Sequence, residues 1–318
     1  KMAHYWGTNF LANTSAHAPH RWYERLKEET EFGVVNDLFM TPTAMALCEL
    51  FLPVSCVAER RGAVMPQFGR NMSFIGALTQ AIPENDTKCD IDIMIDMGRM
   101  MNPDAWPWTN VEDFYDDWLG RFYGFGYQDL VEKNVYFPGY TYKKYEKGLL
   151  RPDGTPGFAT PSGRIELVPF ATFGAWGIDP WPKHYESVAQ ARWTTDEEYR
   201  KEYPFTIING SRSYEFFHSE NRQQKTMREF HPVPYVQVSR QTAEEYNLAD
   251  GEWIWIENHV GRCKQCVKIN PALQPQYLVA EHGWWFPEGD GNAPSLFGSF
   301  DCNINNLTYS YETGEGGI

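Results

Sequence analysis

Residues 205–222 read FTIINGSRSYEFFHSENR. A run of β-formers, Phe205 to Ile208, stops at Asn209-Gly210-Ser211-Arg212, and Phe216, Phe217, His218 and Ser219 follow. A turn of small residues presents backbone N–H groups, and a guanidinium forks onto paired oxygens, so this rim suits an anion such as a phosphate. The same letters also describe an ordinary turn leading into a hairpin, and a lone Gly-x-Arg is not a specific motif. His218 has the same two uses: a donor to a ligand, or a ring satisfied by backbone inside a hairpin.

Other stretches carry chemistry-bearing side chains. Gly7-Thr8-Asn9 and Asn36-Asp37 follow strand-like segments, and parallel α/β sheets bind ligands beyond the carboxyl ends of their strands. Asp37 could instead cap the helix that begins near Thr41. Arg60 and Arg61 follow Glu59 in a loop, where they could neutralise a diphosphate or remain on the surface. Trp284-Trp285-Phe286 suits either a core or an aromatic wall against a flat heterocycle. Asn303, Asn305 and Asn306 carry amide donors and acceptors that match the edge of a flat heterocycle, and equally a turn. Cys263-Lys264-Gln265-Cys266 reads as two ordinary strand cysteines, because strand residues three apart face opposite ways and no second Cys-x-x-Cys completes a four-ligand set. His17 and His20 flank Pro19 in a polar segment and read as a solvated loop before a metal pair. No Walker loop, H-E-x-x-H or Ser–His–Asp order is present.

These residues need elements to hold them. Met2 to Trp6, Phe32 to Val35 and Glu49 to Pro53 read as strands, with helices over Trp22 to Glu29 and from Thr41-Pro42 onward, Pro standing early where its missing N–H costs nothing. This strand–helix alternation predicts a parallel α/β sheet. Thr109 to Phe122 is the clearest helix, with Thr109 and Glu112 as a capping box and Val111, Phe114, Tyr115, Trp118, Leu119 and Phe122 as a core-facing stripe. Residues 124–202 are rich in Tyr, Gly and Pro and are expected to wrap, with a hairpin around Pro161-Ser162-Gly163. From residue 203 on, short strands dominate: Ser239 caps a helix through Tyr246, and Glu252 to Glu257 alternates Trp with Ile. Many short strands with one helix suggest a closed barrel.

The 318 residues are enough for two domains, and 42% hydrophobic with 16% aromatic content supplies a sizeable core. A net charge of −14 argues against nucleic acid or an anionic membrane surface as partner. It leaves room for an anionic cofactor, since local N–H groups and a few Arg outweigh distant charge. Six scattered cysteines fit reduced or inert thiols rather than a disulfide framework, and no apolar run is long enough to cross a membrane. With Lys1 leading straight into a strand, the chain is expected to begin inside a domain, without a targeting sequence.

The order of these stretches resembles the molybdopterin oxidoreductases, the dimethyl sulfoxide reductase family, over nearly the whole chain. The matching pieces are Val34-Val35-Asn36-Asp37 with FMTPTAMALCELFLP and AERRG, then GFATPSGRIEL at Gly157 to Leu167, then the Gly-Ser-Arg turn with Phe217-His218-Ser219, RQTAEEYNLADGEWIWIE, HGWWF and finally NINNLT. Two departures stand out: Cys48-Glu49 replaces the family's Ala-Asp, and Asn209-Gly210-Ser211-Arg212 replaces its Thr-Gly-Arg with one residue more.

The resemblance implies a partial Rossmann-like α/β domain (residues 1–123), the wrapping connection (124–202) and a six-stranded double-psi β-barrel (203–318). It implies a bis(molybdopterin guanine dinucleotide) cofactor with Mo or W. Gly7, Asn9, Asn36, Asp37, Arg60, Asn209, Gly210, Ser211, Arg212, Phe217, His218, Ser219, Trp285, Asn303 and Asn305 are then its expected contacts, with Asp37 facing a guanine. The family's iron–sulfur cysteines and its metal-ligating Ser, Cys or selenocysteine have no counterpart here. The chain is therefore expected to be the C-terminal part of a catalytic subunit, inactive alone, with a polysulfide or thiosulfate reductase-like lean. Expected partners are a small-molecule substrate, the N-terminal part of the same chain and an iron–sulfur electron-transfer subunit. The alternative is a stand-alone, non-catalytic double-psi barrel that binds a partner or carbohydrate.

Overall fold

The computed structural model describes residues 1–13, 19–65, 74–168, 170–181, 188–209 and 213–308. Its strands are β1 (Met2–Trp6), β2 (Phe32–Asp37), β3 (Leu50–Pro53), β4 (Gly62–Val64), β5 (Ile75–Leu78), β6 (Val135–Tyr136), β7 (Thr206–Asn209), β8 (Tyr235–Val238), β9 (Trp253–Glu257), β10 (Arg262–Ile269) and β11 (Tyr277–Ala280). Contacts divide the chain into two compact units, Lys1–Pro53 with Glu186–Glu312, and Val54–Tyr185. These units cut the chain at different places from the three segments expected above.

In the first unit β1, β2 and β3 form the expected parallel sheet, with His4 opposite Val34 and Val35 opposite Phe51. Asn36 and Asp37 do not follow the second strand; they are its last two residues, paired with Leu52 and Pro53. Thr41 caps the helix Pro42–Leu47 by accepting from the Ala44 N–H at 3.3 Å, and Pro42 takes the first helical position. This helix lies so close to β2 that a Cβ on Gly33 would sit 1.8 Å from the Leu47 carbonyl oxygen, so only glycine fits there. Leu11, Ala46 and Leu47 share a core with Leu296 and Phe300 from far along the chain.

The same unit holds a mixed five-stranded sheet in the order β7-β11-β8-β10-β9, curled as a half-barrel. β8/β10 and β7/β11 run parallel, while β9/β10 and β8/β11 run antiparallel. Val236, Val238, Cys263, Val267, Leu278 and Ala280 fill its concave side. Each large aliphatic buried there contributes about 1.5–3 kcal/mol. Ser239 caps the helix Arg240–Glu245 as expected, accepting from Thr242 N–H at 2.9 Å.

The second unit packs the antiparallel set β4-β5-β6 against the helix Val111–Tyr123 and the helix Tyr127–Lys133, around Ile75, Leu119, Tyr127 and Leu130. The expected Thr109–Glu112 capping box is absent. Asn110 is the cap, its Oδ1 accepting from Glu112 and Asp113 N–H at 2.8 and 3.0 Å, because Thr109 is taken by Asp113. Phe122 ends the apolar stripe but is 67% exposed. The expected hairpin at Pro161–Gly163 is a tight loop without a ladder, closed by Phe158 N–H to the Gly163 carbonyl at 2.8 Å. Among the described residues no helix is long and apolar enough to cross a membrane.

Candidate functional site

Two places in the first unit gather the polar groups singled out in the sequence. The first is the carboxyl end of the parallel sheet. Gly7, at φ +51, turns the chain after β1 and donates its N–H to the Asn36 carbonyl at 2.8 Å. Asn9 accepts from the Thr43 N–H and hydroxyl at 3.2 and 3.1 Å, while its Nδ2 is buried without a partner among the described residues. Asn36 is fully buried; its Oδ1 meets His4 Nε2, and its Nδ2 also lacks a partner among the described residues. Whichever way the Asn36 amide is turned, one of its polar atoms stays unpaired, and each such group costs about 1–3 kcal/mol. Asp37, half-buried beside them, accepts from the Leu38 N–H at 2.7 Å. It does not cap the following helix, since Thr41 does.

The second place is the mouth of the half-barrel. His218 adopts φ +52, a left-handed conformation that a non-glycine residue holds only under local constraint. The constraint is visible. Gly283, at φ +69, approaches so closely that a Cβ there would meet the His218 carbonyl oxygen at 2.7 Å, and His218 Nδ1 lies 3.0 Å from His282 Nε2. Ser219 is buried, and its carbonyl accepts from Trp285 Nε1 at 2.8 Å. Trp285 is itself 2% exposed, so it is core that fixes Ser219. Phe217 is about half exposed, with its ring 4.5 Å from that of His218.

Arg222 lies behind this rim, 3% exposed, with its guanidinium 3.9 Å from the Phe216 ring and 4.5 Å from the Trp284 ring. It donates to the Glu220 and His282 carbonyls at 3.0 and 3.4 Å. Burial pushes it down to about 9, which leaves it cationic at neutral pH. Sequence reasoning missed Arg222, Glu281, His282 and Gly283 as parts of one place. Arg222 ends the stretch that was read first, but only the sheet brings residues 281–283 beside it.

The asparagines of NINNLT act as joints. Asn303 is fully buried, donates to the Leu11 carbonyl at 2.9 Å and caps the 3-10 turn Ile304–Leu307 by accepting from Asn305 N–H at 3.0 Å. Asn305 donates to the Asn13 carbonyl, and Asn306 to the Phe300 and Arg262 carbonyls. Asn209, exposed at the end of β7, and Asn305 both line an open groove of about 1010 Å³ that is otherwise largely aromatic and aliphatic, including Tyr203, Tyr246 and Trp255. Arg60 lies in the other unit, ion-paired with Asp90 at 3.4 Å, and Arg61 pairs with Glu112 at 2.7 Å. Gly210, Ser211, Arg212 and His17 lie outside the described residues. Among the described residues no cluster of His, Cys, Asp or Glu could hold a metal, and all six cysteines are free thiols. Cys263 and Cys266 both lie buried in β10, as their reading as strand cysteines requires.

Residues 205–317 match the family described as Molydopterin dinucleotide binding domain. Residues 205–317 thus form a molybdopterin dinucleotide-binding domain, and the chain's homologues include members of the dimethyl sulfoxide reductase family. Acetylene hydratase from Syntrophotalea acetylenica is 30% identical over 83% of this chain and 34% of its own length. A dopamine dehydroxylase from Eggerthella lenta is 29% identical over 46% of this chain and 16% of its own. Among solved structures, acetylene hydratase from Pelobacter acetylenicus superposes with a TM-score of 0.80 at 25% identity, over 96% of this chain and 40% of that one. The chain thus spans about a third of the curated relative it matches over most of its length.

Proposed function

We propose that this chain is the C-terminal cofactor-binding portion of a molybdenum or tungsten enzyme that carries bis(molybdopterin guanine dinucleotide). Its chemistry would be two-electron redox, or oxygen or sulfur transfer, on a small molecule. The observation that carries this reading is the pair of buried amides, Asn9 and Asn36, left with unpaired Nδ2 groups at the carboxyl ends of parallel strands. Such donors fit the acceptor atoms of a dinucleotide.

When bound, the group supplies a metal–dithiolene centre that exchanges electrons with substrate in pairs. The rest falls to the chain. Asp37 accepts from the neighbouring N1–H and N2 amino groups of a guanine, a pair that adenine lacks. Asn9 and Asn36 donate to adjacent acceptors. Gly210-Ser211-Arg212 holds a diphosphate with backbone N–H groups and a guanidinium fork. His218 and Ser219 line the pterin, with Phe217 beside them and Trp285 fixing Ser219. The half-barrel is completed as a double-psi barrel. The metal ligand and the iron–sulfur cysteines belong to an N-terminal part of the same polypeptide, with an iron–sulfur subunit as electron partner. GFATPSGRIEL and NINNLT favour a polysulfide or thiosulfate reductase-like substrate.

The test is to purify the full-length protein anaerobically and measure molybdenum, tungsten and the guanine nucleotide released by acid. The expected result is metal accompanied by two guanine nucleotides. A protein with neither metal nor guanine would overturn the reading in favour of a stand-alone binding module.

A further inference from the structure

The half-barrel contains a chain of titratable groups that leads away from His218, the residue placed at the pterin above. His231 stands between two carboxylates, with Nδ1 3.6 Å from Glu215 and Nε2 3.0 Å from Glu281. Its side chain is 12% exposed, and those of Glu215 and Glu281 are about a quarter exposed. Glu281 is held firmly. Trp284 Nε1 donates to its carboxylate at 2.7 Å, and the fully buried Gln265 brackets its backbone by donating to its carbonyl at 2.7 Å and accepting from its N–H at 3.2 Å. Beyond Glu281 lies a cavity of about 10 Å³, lined by Arg222, His218, His282, Ser213 and Glu281. That volume admits one water. Arg222, whose buried Nε has no partner among the described residues, is one of its polar walls. On the far side His282 Nε2 meets His218 Nδ1 at 3.0 Å.

We propose that Glu215, His231, Glu281, one cavity water, His282 and His218 form a proton relay that ends at the cofactor face of the half-barrel. The inference rests on the cofactor reading above. Glu215 takes a proton from solvent and passes it to His231 Nδ1 as His231 Nε2 releases one to Glu281. Glu281 passes a proton through the water to His282 Nδ1, His282 Nε2 gives one to His218 Nδ1, and His218 Nε2 releases one at the cofactor face. Each group gains one proton for each it loses, so the chain's charge is restored after every transfer. Arg222 stays cationic and pins the water. The other charged or titratable groups facing this line are Tyr235, whose ring lies 5.1 Å from that of His231, and Arg228, which Glu288 neutralises at 2.8 Å. Two-electron chemistry that consumes or releases protons needs such a path where bulk water is excluded.

The test uses full-length protein with its cofactor and the variants His231→Gln, His231→Ala, His282→Gln and Glu281→Gln. Metal and pterin content and the rate of reduction by dithionite in H2O and D2O are measured together. The expected result is unchanged cofactor content, a proton-coupled step slowed about tenfold or more, and a larger solvent isotope effect. Added imidazole should restore part of the rate in His231→Ala. Full cofactor content with unchanged rate and isotope effect overturns the relay and leaves the cofactor reading standing. Loss of cofactor in every variant, with no response to imidazole, assigns these residues to packing and also overturns it. A wild-type protein without pterin overturns the cofactor reading, and the relay falls with it.

Discussion

Asp37 is where a single substitution separates two roles. Thr41 caps the next helix, and an asparagine at 37 keeps the oxygen that accepts from the Leu38 N–H, so the empty fold should change little on loss of the charge. Asp37→Asn keeps the size but loses one acceptor oxygen and the charge. Guanine-dinucleotide retention by the full-length protein should fall, by the equivalent of about 1–3 kcal/mol in discrimination, while the melting temperature of the empty protein stays constant. A loss of stability in the empty protein with full retention would return Asp37 to a structural role. Gly283 makes the opposite forecast. Its positive φ and its approach to His218 leave no room for a methyl group, so Gly283→Ala should destabilise the fold by at least about 1–3 kcal/mol in denaturant titration. The thiols give a third. Burial pushes Cys263 and Cys302 up to about 12, so both remain protonated and poorly nucleophilic at neutral pH. Iodoacetamide at pH 7.5 should label them only after denaturation, and rapid labelling in the native protein would contradict their burial.

At the scale of elements, caps decided where helices begin. Pro42 after Thr41, and Ser239 three residues before Thr242, mark their helix starts unambiguously. Before the helix Val111–Tyr123, Thr109 and Asn110 are both competent caps, and the choice fell to Asn110 once Asp113 engaged Thr109. Asn110→Ala should therefore cost about 1 kcal/mol, measured by thermal unfolding. Thr109→Ala should cost less, and the reverse order would restore the Thr109 box. Pairing likewise settled the length of β2. Asn36 and Asp37 are poor strand formers, yet the ladder to β3 carries them into the sheet and orients Asn36 inward.

For the whole molecule, the chain carries one share of a cofactor site whose metal ligand is proposed to come from elsewhere in the polypeptide. Purified alone, these 318 residues should contain no stoichiometric molybdenum or tungsten and show no dye-linked reductase turnover. Stoichiometric metal with turnover would show that the chain is self-sufficient.

The sequence by itself determined the parallel strand–helix–strand opening, because apolar runs, an N-cap and an early proline are local signals. It also determined the mostly-β half, where Ser239 and the Trp–Ile alternation of β9 are legible, and the family, through several short stretches in fixed order. Only the tertiary structure decided what the polar residues of NINNLT do: Asn303 and Asn305 are joined to residues 11 and 13 by contacts nearly 300 positions apart, which no local pattern encodes. The same is true of the Arg222–Glu281–His282 cluster. Its members come together because β11 lies between β7 and β8, and strand order in a mixed sheet is set by how side chains fill the shared core, not by the sequence of any one strand.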